Sequence, residues 1–337
     1  MWEKLSQISL RQLFAEYPHA VDFFSSLALD LECTERTVQE WFFTLDEDVL
    51  QDLGLGPEEL QARFSFFMMQ MEGLKETVND VREVTICGGV DKNGEPENCD
   101  LTIRAGEIIC IVGPTGSGKS RLLADIEWIA QQDTPTKRQI LINSQIPDVT
   151  KRFAIEHKLV AQLSQNMNFI MDLTVHEFVA MHAESRMIEK QQEIVEHIFR
   201  KANELAGEPF ALNTPVTSLS GGQSRALMIA DTAYLSTSPI VLIDEIENAG
   251  IDRKQALQLL VAKEKIVLMA THDPILALMG DKRIVIKNGG IRQVINTSPA
   301  ERENLSRLEL IDRQMAAIRE LLRRGERIDK LPFTLGM

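Results

Sequence analysis

The stretch Gly113-Pro114-Thr115-Gly116-Ser117-Gly118-Lys119-Ser120 constrains this chain more than any other segment of its length. Before it stands an apolar run, Glu107–Val112, that reads as a buried strand. After it Ser120–Ile129 reads as a helix. Glycines between a strand and a helix let backbone N–H groups turn inward at the helix N-terminus, where they cradle phosphate. Lys119 would then reach the β- and γ-phosphates, and the Ser120 hydroxyl would ligate Mg2+, with Arg121 next in the helix. An ordinary glycine turn is the bland alternative. The pattern arises by chance in roughly one chain in a hundred of this length, and the flanking strand and helix narrow that further.

The rest of the chain is organised around this unit. Glu83–Cys87 and Cys99–Ile103 read as short strands about a turn at Asn93-Gly94, an antiparallel opening. Further apolar strands are expected at Gln139–Ile142, Leu159–Gln162, Ile240–Ile243, Ile266–Ala270 and Arg283–Lys287. Helical stretches separate the later ones, so the expected fold is α/β, a parallel sheet covered on both faces. Val175–Ala206 reads as a helical insertion, part of a helical subdomain spanning about 166–225. After Ser298 one amphipathic helix is expected to run to about Arg324. The domain reading is an N-terminal module over 1–80, the α/β domain over 81–297 and a helical tail over 298–337.

The first eighty residues differ in composition. They hold sixteen acids against five bases and eleven of the nineteen aromatics. Apolar positions at helical spacing (Leu10, Leu13, Phe14, Tyr17, then Ala20, Phe23, Phe24, Leu27) predict a small helical module with its own aromatic core. Glu58–Leu74 reads as a helix whose Phe66-Phe67-Met68-Met69 could serve as a contact surface. Net charge is −14, and no basic stripe of the kind that binds nucleic acid is visible. No apolar run approaches the ~20 residues that cross a bilayer, and the start lacks a signal-peptide core, so a cytoplasmic protein is expected. Cys33, Cys87, Cys99 and Cys110 show no metal or redox spacing and read as reduced structural thiols.

Two further motifs follow in order. Leu219-Ser220-Gly221-Gly222-Gln223 precedes a helix expected at Ser224–Leu235. By itself this could be a capped helix start with a flexible lead-in. Ile240–Ile243 then ends in Asp244 and Glu245, where one carboxylate can hold Mg2+ through its water shell and the other can orient an attacking water. With the late Ala270-Thr271-His272-Asp273, this order resembles the ABC (ATP-binding cassette) ATPase superfamily over about 81–297.

The resemblance implies a mechanism. Gln165 looks like the glutamine that ligates Mg2+ and senses a partner, with Gln162 the weaker candidate. His272 looks like the histidine that contacts the γ-phosphate. Two copies would pair head to tail, each signature segment capping the ATP held by the other copy's phosphate loop. Three departures stand out. No aromatic lies between Phe67 and Trp128, where the family usually stacks one on adenine. Ile246 replaces a common proline. The segment Asn248-Ala249-Gly250-Ile251-Asp252 is one residue longer than usual, with Asp252 the candidate for its aspartate.

Two jobs stay open on these residues: a soluble machine that remodels or assembles a protein client, or the ATP-binding subunit of a transporter paired with a separate membrane permease. Either makes the chain an ATPase with a protein partner. Lys119, Asp244, Glu245 and His272 together speak against a form that binds nucleotide without turnover.

Overall fold

The computed structural model describes residues 2–27, 35–45, 50, 53–76, 81–148, 152, 158–164, 169–244 and 251–328, which fall into two compact units divided after Val78. In the first unit the described helices are α1 (Trp2–Leu5), α2 (Leu10–Glu16), α3 (Ala20–Ser26), α4 (Val38–Phe43) and α5 (Pro57–Glu76). Their core holds Leu10, Leu13, Phe23, Phe24, Phe42, Leu60, Phe64 and Met68. Phe24 meets Phe14, Trp41 and Phe64 with ring centroids 5.8, 5.0 and 5.4 Å away. The expected contact run divides by helical phase: Met68 is core, whereas Phe66 and Met69 are each 55% exposed.

The second unit carries β1 (Glu83–Cys87), β2 (Asp100–Arg104), β3 (Ile108–Val112), α6 (Lys119–Glu127), β4 (Gln139–Ile142) and β5 (Val160–Leu163). Next come α7 (Val175–Ser185), α8 (Gln191–Leu205), α9 (Gly221–Tyr234), β6 (Ile240–Asp244), α10 (Arg253–Val261) and β7 (Ile266–Ala270). The described part closes with α11 (Pro274–Met279), β8 (Lys282–Lys287), β9 (Gly290–Asn296) and α12 (Pro299–Arg323).

The strands form two sheets. The larger runs β5-β6-β7-β3-β8-β9 and is parallel except for β9. The smaller runs β2-β1-β4 and is wholly antiparallel. Of the expected strands only β4 departs: it joins the antiparallel strands and not the parallel array, pairing Ile140 with Ile86. The burial patterns explain the division. β6 and β7 are buried almost throughout, as strands covered on both faces must be, while β1 and β2 alternate. β9 was not anticipated, because Arg292 and Gln293 break its apolar run at the sheet edge.

Successive residues of the central strands face opposite layers. Ile109, Ile111, Leu242 and Leu268 pack with Leu122 and Ile126 of α6. Cys110, Val241, Ile243, Val267 and Met269 pack with Ala226 and Ile229 of α9 and Leu257 and Leu260 of α10. Burial raises the thiols of Cys87, Cys99 and Cys110, the last to about 12.

One buried ionic cluster joins the layers. Arg138, fully buried just before β4, donates Nη1 to Asp125 of α6 at 2.8 Å and Nε to Glu97 at 2.9 Å. Its Nη2 donates to Glu97 and, at 2.8 Å, to the Gly289 carbonyl between β8 and β9. Glu97 also accepts from the backbone N–H of Gly89 at 3.0 Å and of Ile291 at 2.6 Å. Burial opposes the guanidinium charge, but Glu97 and then Asp125 outweigh it and hold Arg138 above its ordinary range. Removing one member of such a cluster leaves uncompensated charge in the interior. Arg138→Met should therefore lower the unfolding free energy by about 3–5 kcal/mol, measured by urea denaturation.

Candidate functional site

Parallel strands of a covered sheet gather their carboxyl ends at one edge, and loops there hold ligands. β3, β6 and β7 deliver three of the sequence candidates to that edge. The glycine loop leaves β3, Asp244 ends β6 in register with Ala270, and His272 follows β7. β7 lies between the other two in the sheet, so His272 emerges from the strand between the phosphate loop and Asp244.

The loop has the backbone that its glycines imply. Gly113, Gly116 and Gly118 all take positive φ, and Gly118 stands before α6 at φ 111°. A Cβ on Gly118 would lie 2.8 Å from the Cα of Gly289, so the β8–β9 turn leaves it no room. Gly289 in turn donates its N–H to the Ser117 carbonyl at 2.6 Å. The Ser117 hydroxyl is buried without a hydrogen-bond partner. Helix α6 begins at Lys119, with Ser120 and Arg121 exposed in its first turn. Pro114 and Thr115 complete the loop, and the Pro114 carbonyl accepts from Ser117 N at 3.1 Å.

Lys119 and His272 meet here, 153 residues apart in sequence. The Lys119 ammonium lies 2.9 Å from Nε2 of His272 and donates to the Gly113 carbonyl at 3.0 Å. An ammonium only donates, so in this pairing Nε2 is the acceptor. Around His272, Thr271 N donates to Ile111 O at 3.1 Å, and the Asp273 carboxylate caps α11 through Ile275 N at 2.7 Å. Arg253 spans Asp273 and, at 2.9 Å, Asp312 of α12, a link that no sequence motif announced.

The signature segment is a helix start with a complete capping box. Ser220 accepts from Gln223 N at 3.3 Å, and the Gln223 side chain accepts from Ser220 N at 2.9 Å. The helix begins at Gly221, not at Ser224 as expected: Gly221 and Gly222 form its first turn and are not a flexible lead-in, because Ser220 already supplies the cap. Leu219 packs at the margin of the helical-subdomain core, beside Val216 and Leu227. Asp252 also has a local role. It caps α10, accepting from Gln255 N at 3.0 Å and Gln255 Nε2 at 3.0 Å. Gln165, Glu245 and 246–250 lie outside the described residues, and Gln162 faces Glu127 of α6.

Among the described residues no group of three or more His, Cys, Asp or Glu could enclose a metal ion. Ser120 and Asp244 offer oxygen donors, which suit Mg2+ when phosphate oxygens and waters fill the remaining positions.

The ABC transporter family model matches residues 96–248. An uncharacterised ABC transporter ATP-binding protein of Methanocaldococcus jannaschii is 52% identical over 250 residues, covering 74% of this chain and 95% of the relative. The lipoprotein-releasing system ATP-binding protein LolD of Psychrobacter arcticus is 30% identical over 202 residues, covering 56% of this chain and 86% of its own length. Among solved structures, a dimeric bacterial ABC transporter cassette superposes with a TM-score of 0.50 at 26% identity, over 64% of this chain and all but 1% of the cassette, which is 99% covered.

A side chain at Gly118 would force the β8–β9 turn off the loop. Gly118→Ala should thus abolish nucleotide binding, measured by calorimetry, while the helical content seen by circular dichroism stays near that of the parent.

Proposed function

We infer that this chain, which belongs to the family of ABC transporter ATP-binding proteins, works as a pair of copies that close head to tail on MgATP. The family's reaction is ATP plus water to ADP plus phosphate. The observation that carries the reading is the meeting of Lys119 and His272 at the strand edge that holds the glycine loop.

Each residue then has a task. The γ-phosphate draws the Lys119 ammonium off His272. That frees Nε2, and the ring can donate to the phosphate from there once its proton has moved to Nε2 through solvent. Ser120, Asp244 and Gln165 would hold Mg2+, which neutralises charge on the β- and γ-oxygens when bound. Glu245 accepts a proton from water as its oxygen attacks the γ-phosphorus, and the bond to the ADP oxygen breaks.

Gly221 supports the trans contact. A Cβ on Gly221 would meet nothing within 4 Å among the described residues, so no packing within this chain calls for glycine there. Space kept clear on the outer side of a helix N-terminus suits a phosphate brought by a second copy. Ser220, Gly222 and Gln223 would share that contact, with Asp252 beside the same interface.

Glu245→Gln keeps the shape of the side chain and removes the base. Turnover should fall by on the order of 10²-fold or more while ATP binding persists. Light scattering should then show a dimer that forms only with ATP. Near-normal turnover in this variant would remove Glu245 from its role.

The names of the relatives favour a separate membrane permease as partner, which would place the chain at the cytoplasmic face of a membrane. No helix among the described residues is long and apolar enough to cross a membrane. The acidic first unit, with a core of its own, is the observation that favours a soluble client instead. Capture with Glu245→Gln from membrane and soluble fractions separates the two. A polytopic membrane protein in the first fraction is the expected result; a soluble enzyme in the second would overturn it.

A further inference from the structure

The segment after β1 returns to the phosphate loop. Val90 bridges to Pro96, and the Asp91 carboxylate accepts from Asn93 N at 2.7 Å, Glu95 N at 3.0 Å and Asn288 Nδ2 at 3.0 Å. Lys92 donates its backbone N–H to Asn288 O at 3.0 Å, and Glu97 anchors the far end in the Arg138 cluster. These bonds fix where the Lys92 side chain starts. Its stem then lies over the β8–β9 turn: a Cβ on Gly289 would be 2.9 Å from Lys92 Cγ. Gly289 is itself the residue against which Gly118 is packed. Loop glycine, turn glycine and lysine stem are thus stacked in three layers. The ammonium ends on the loop, 3.2 Å from the Gly116 carbonyl, and Gly116 faces open space on its Cβ side.

We propose that Lys92 is a nucleotide ligand whose ammonium binds the phosphate chain, so that affinity rests on phosphate and the base adds little. The proposal rests on the reading of the glycine loop as the ATP site. Lys119 is buried and donates to Gly113 beside His272, whereas Lys92 is exposed and its ammonium donates to the neutral Gly116 carbonyl. A phosphate oxygen carries negative charge where the carbonyl carries only a dipole, so an arriving nucleotide displaces the carbonyl from the ammonium. The backbone bonds around Lys92 are already made, which lowers the entropy lost on binding. A lysine is a compact point charge and offers a base ring little surface to stack on. No aromatic residue occurs between Phe67 and Trp128 to supply that surface from this segment.

Lys92→Met keeps the stem over Gly289 and removes only the charge. The full chain, its Lys119→Ala variant, Lys92→Met and Lys92→Arg are titrated calorimetrically with ATP, GTP and inorganic tripolyphosphate in Mg2+. The parent should bind ATP and GTP within tenfold of each other, and Lys119→Ala should bind neither. Lys92→Met should weaken all three ligands by a similar factor, roughly tenfold. Its melting midpoint without nucleotide should be unchanged, and Lys92→Arg should recover most of the affinity. A loss for ATP and GTP with none for tripolyphosphate would place the ammonium on the base and overturn the proposal. Unchanged binding with a lowered melting midpoint would reduce Lys92 to a pin on Gly116, also overturning it. If the parent binds no ATP, the reading of the loop itself fails, and Lys92 with it.

Discussion

Arg138 holds this catalytic unit together. It is fully buried, and its carboxylate partners come from elements that the hydrophobic effect alone would not align. Apolar packing is non-directional: it can press α6 and the smaller sheet together in many registers. The guanidinium fork admits few, because its donors must reach Asp125, Glu97 and the Gly289 carbonyl at once. Asp125 lies on the helix that begins with Lys119, and Gly289 lies against Gly118. The placement of the glycine loop thus leans on a cluster that is itself sealed from solvent.

Much of this was legible in the sequence, for stated physical reasons. β3 and its glycine loop were readable because a buried strand and a positive-φ turn leave few choices of residue. β6 and β7 were readable because both faces are buried, giving unbroken apolar runs. The assignment of β4 to its own sheet was not readable, since four residues carry no record of their pairing partner. β9 was hidden by Arg292 and Gln293. The start of α9 was misplaced at Ser224, because two glycines look like a loop until the cap on Ser220 is seen. Lys92, Arg138 and Arg253 had no motif at all. Their importance lies in side-chain partners 13 to 151 residues away in sequence, distances at which local pattern is silent.

In the signature segment and at Asp252, the residues assigned a distant role in the proposed dimer also have a local one. Ser220 and Gln223 cap each other, and Asp252 caps α10. These bonds hold each residue in one conformation before any nucleotide or second copy arrives. Preorganised donors at a helix start cost little reorganisation when an anion is presented to them. A capping role is therefore no argument against a ligand role at these positions.

The stack of Gly118, Gly289 and Lys92 has an evolutionary consequence. Each layer limits the next: a Cβ at 289 would strike the Lys92 stem, and a Cβ at 118 would strike Gly289. The backbone at Gly289, with φ 82°, already disfavours any side chain there, and the Lys92 stem would have to move besides. Position 92 is freer, since its outer end faces solvent and only its stem is confined. Drift in this part of the molecule should therefore run through residue 92, which would let related cassettes exchange the way they grip a nucleotide without disturbing the loop beneath it.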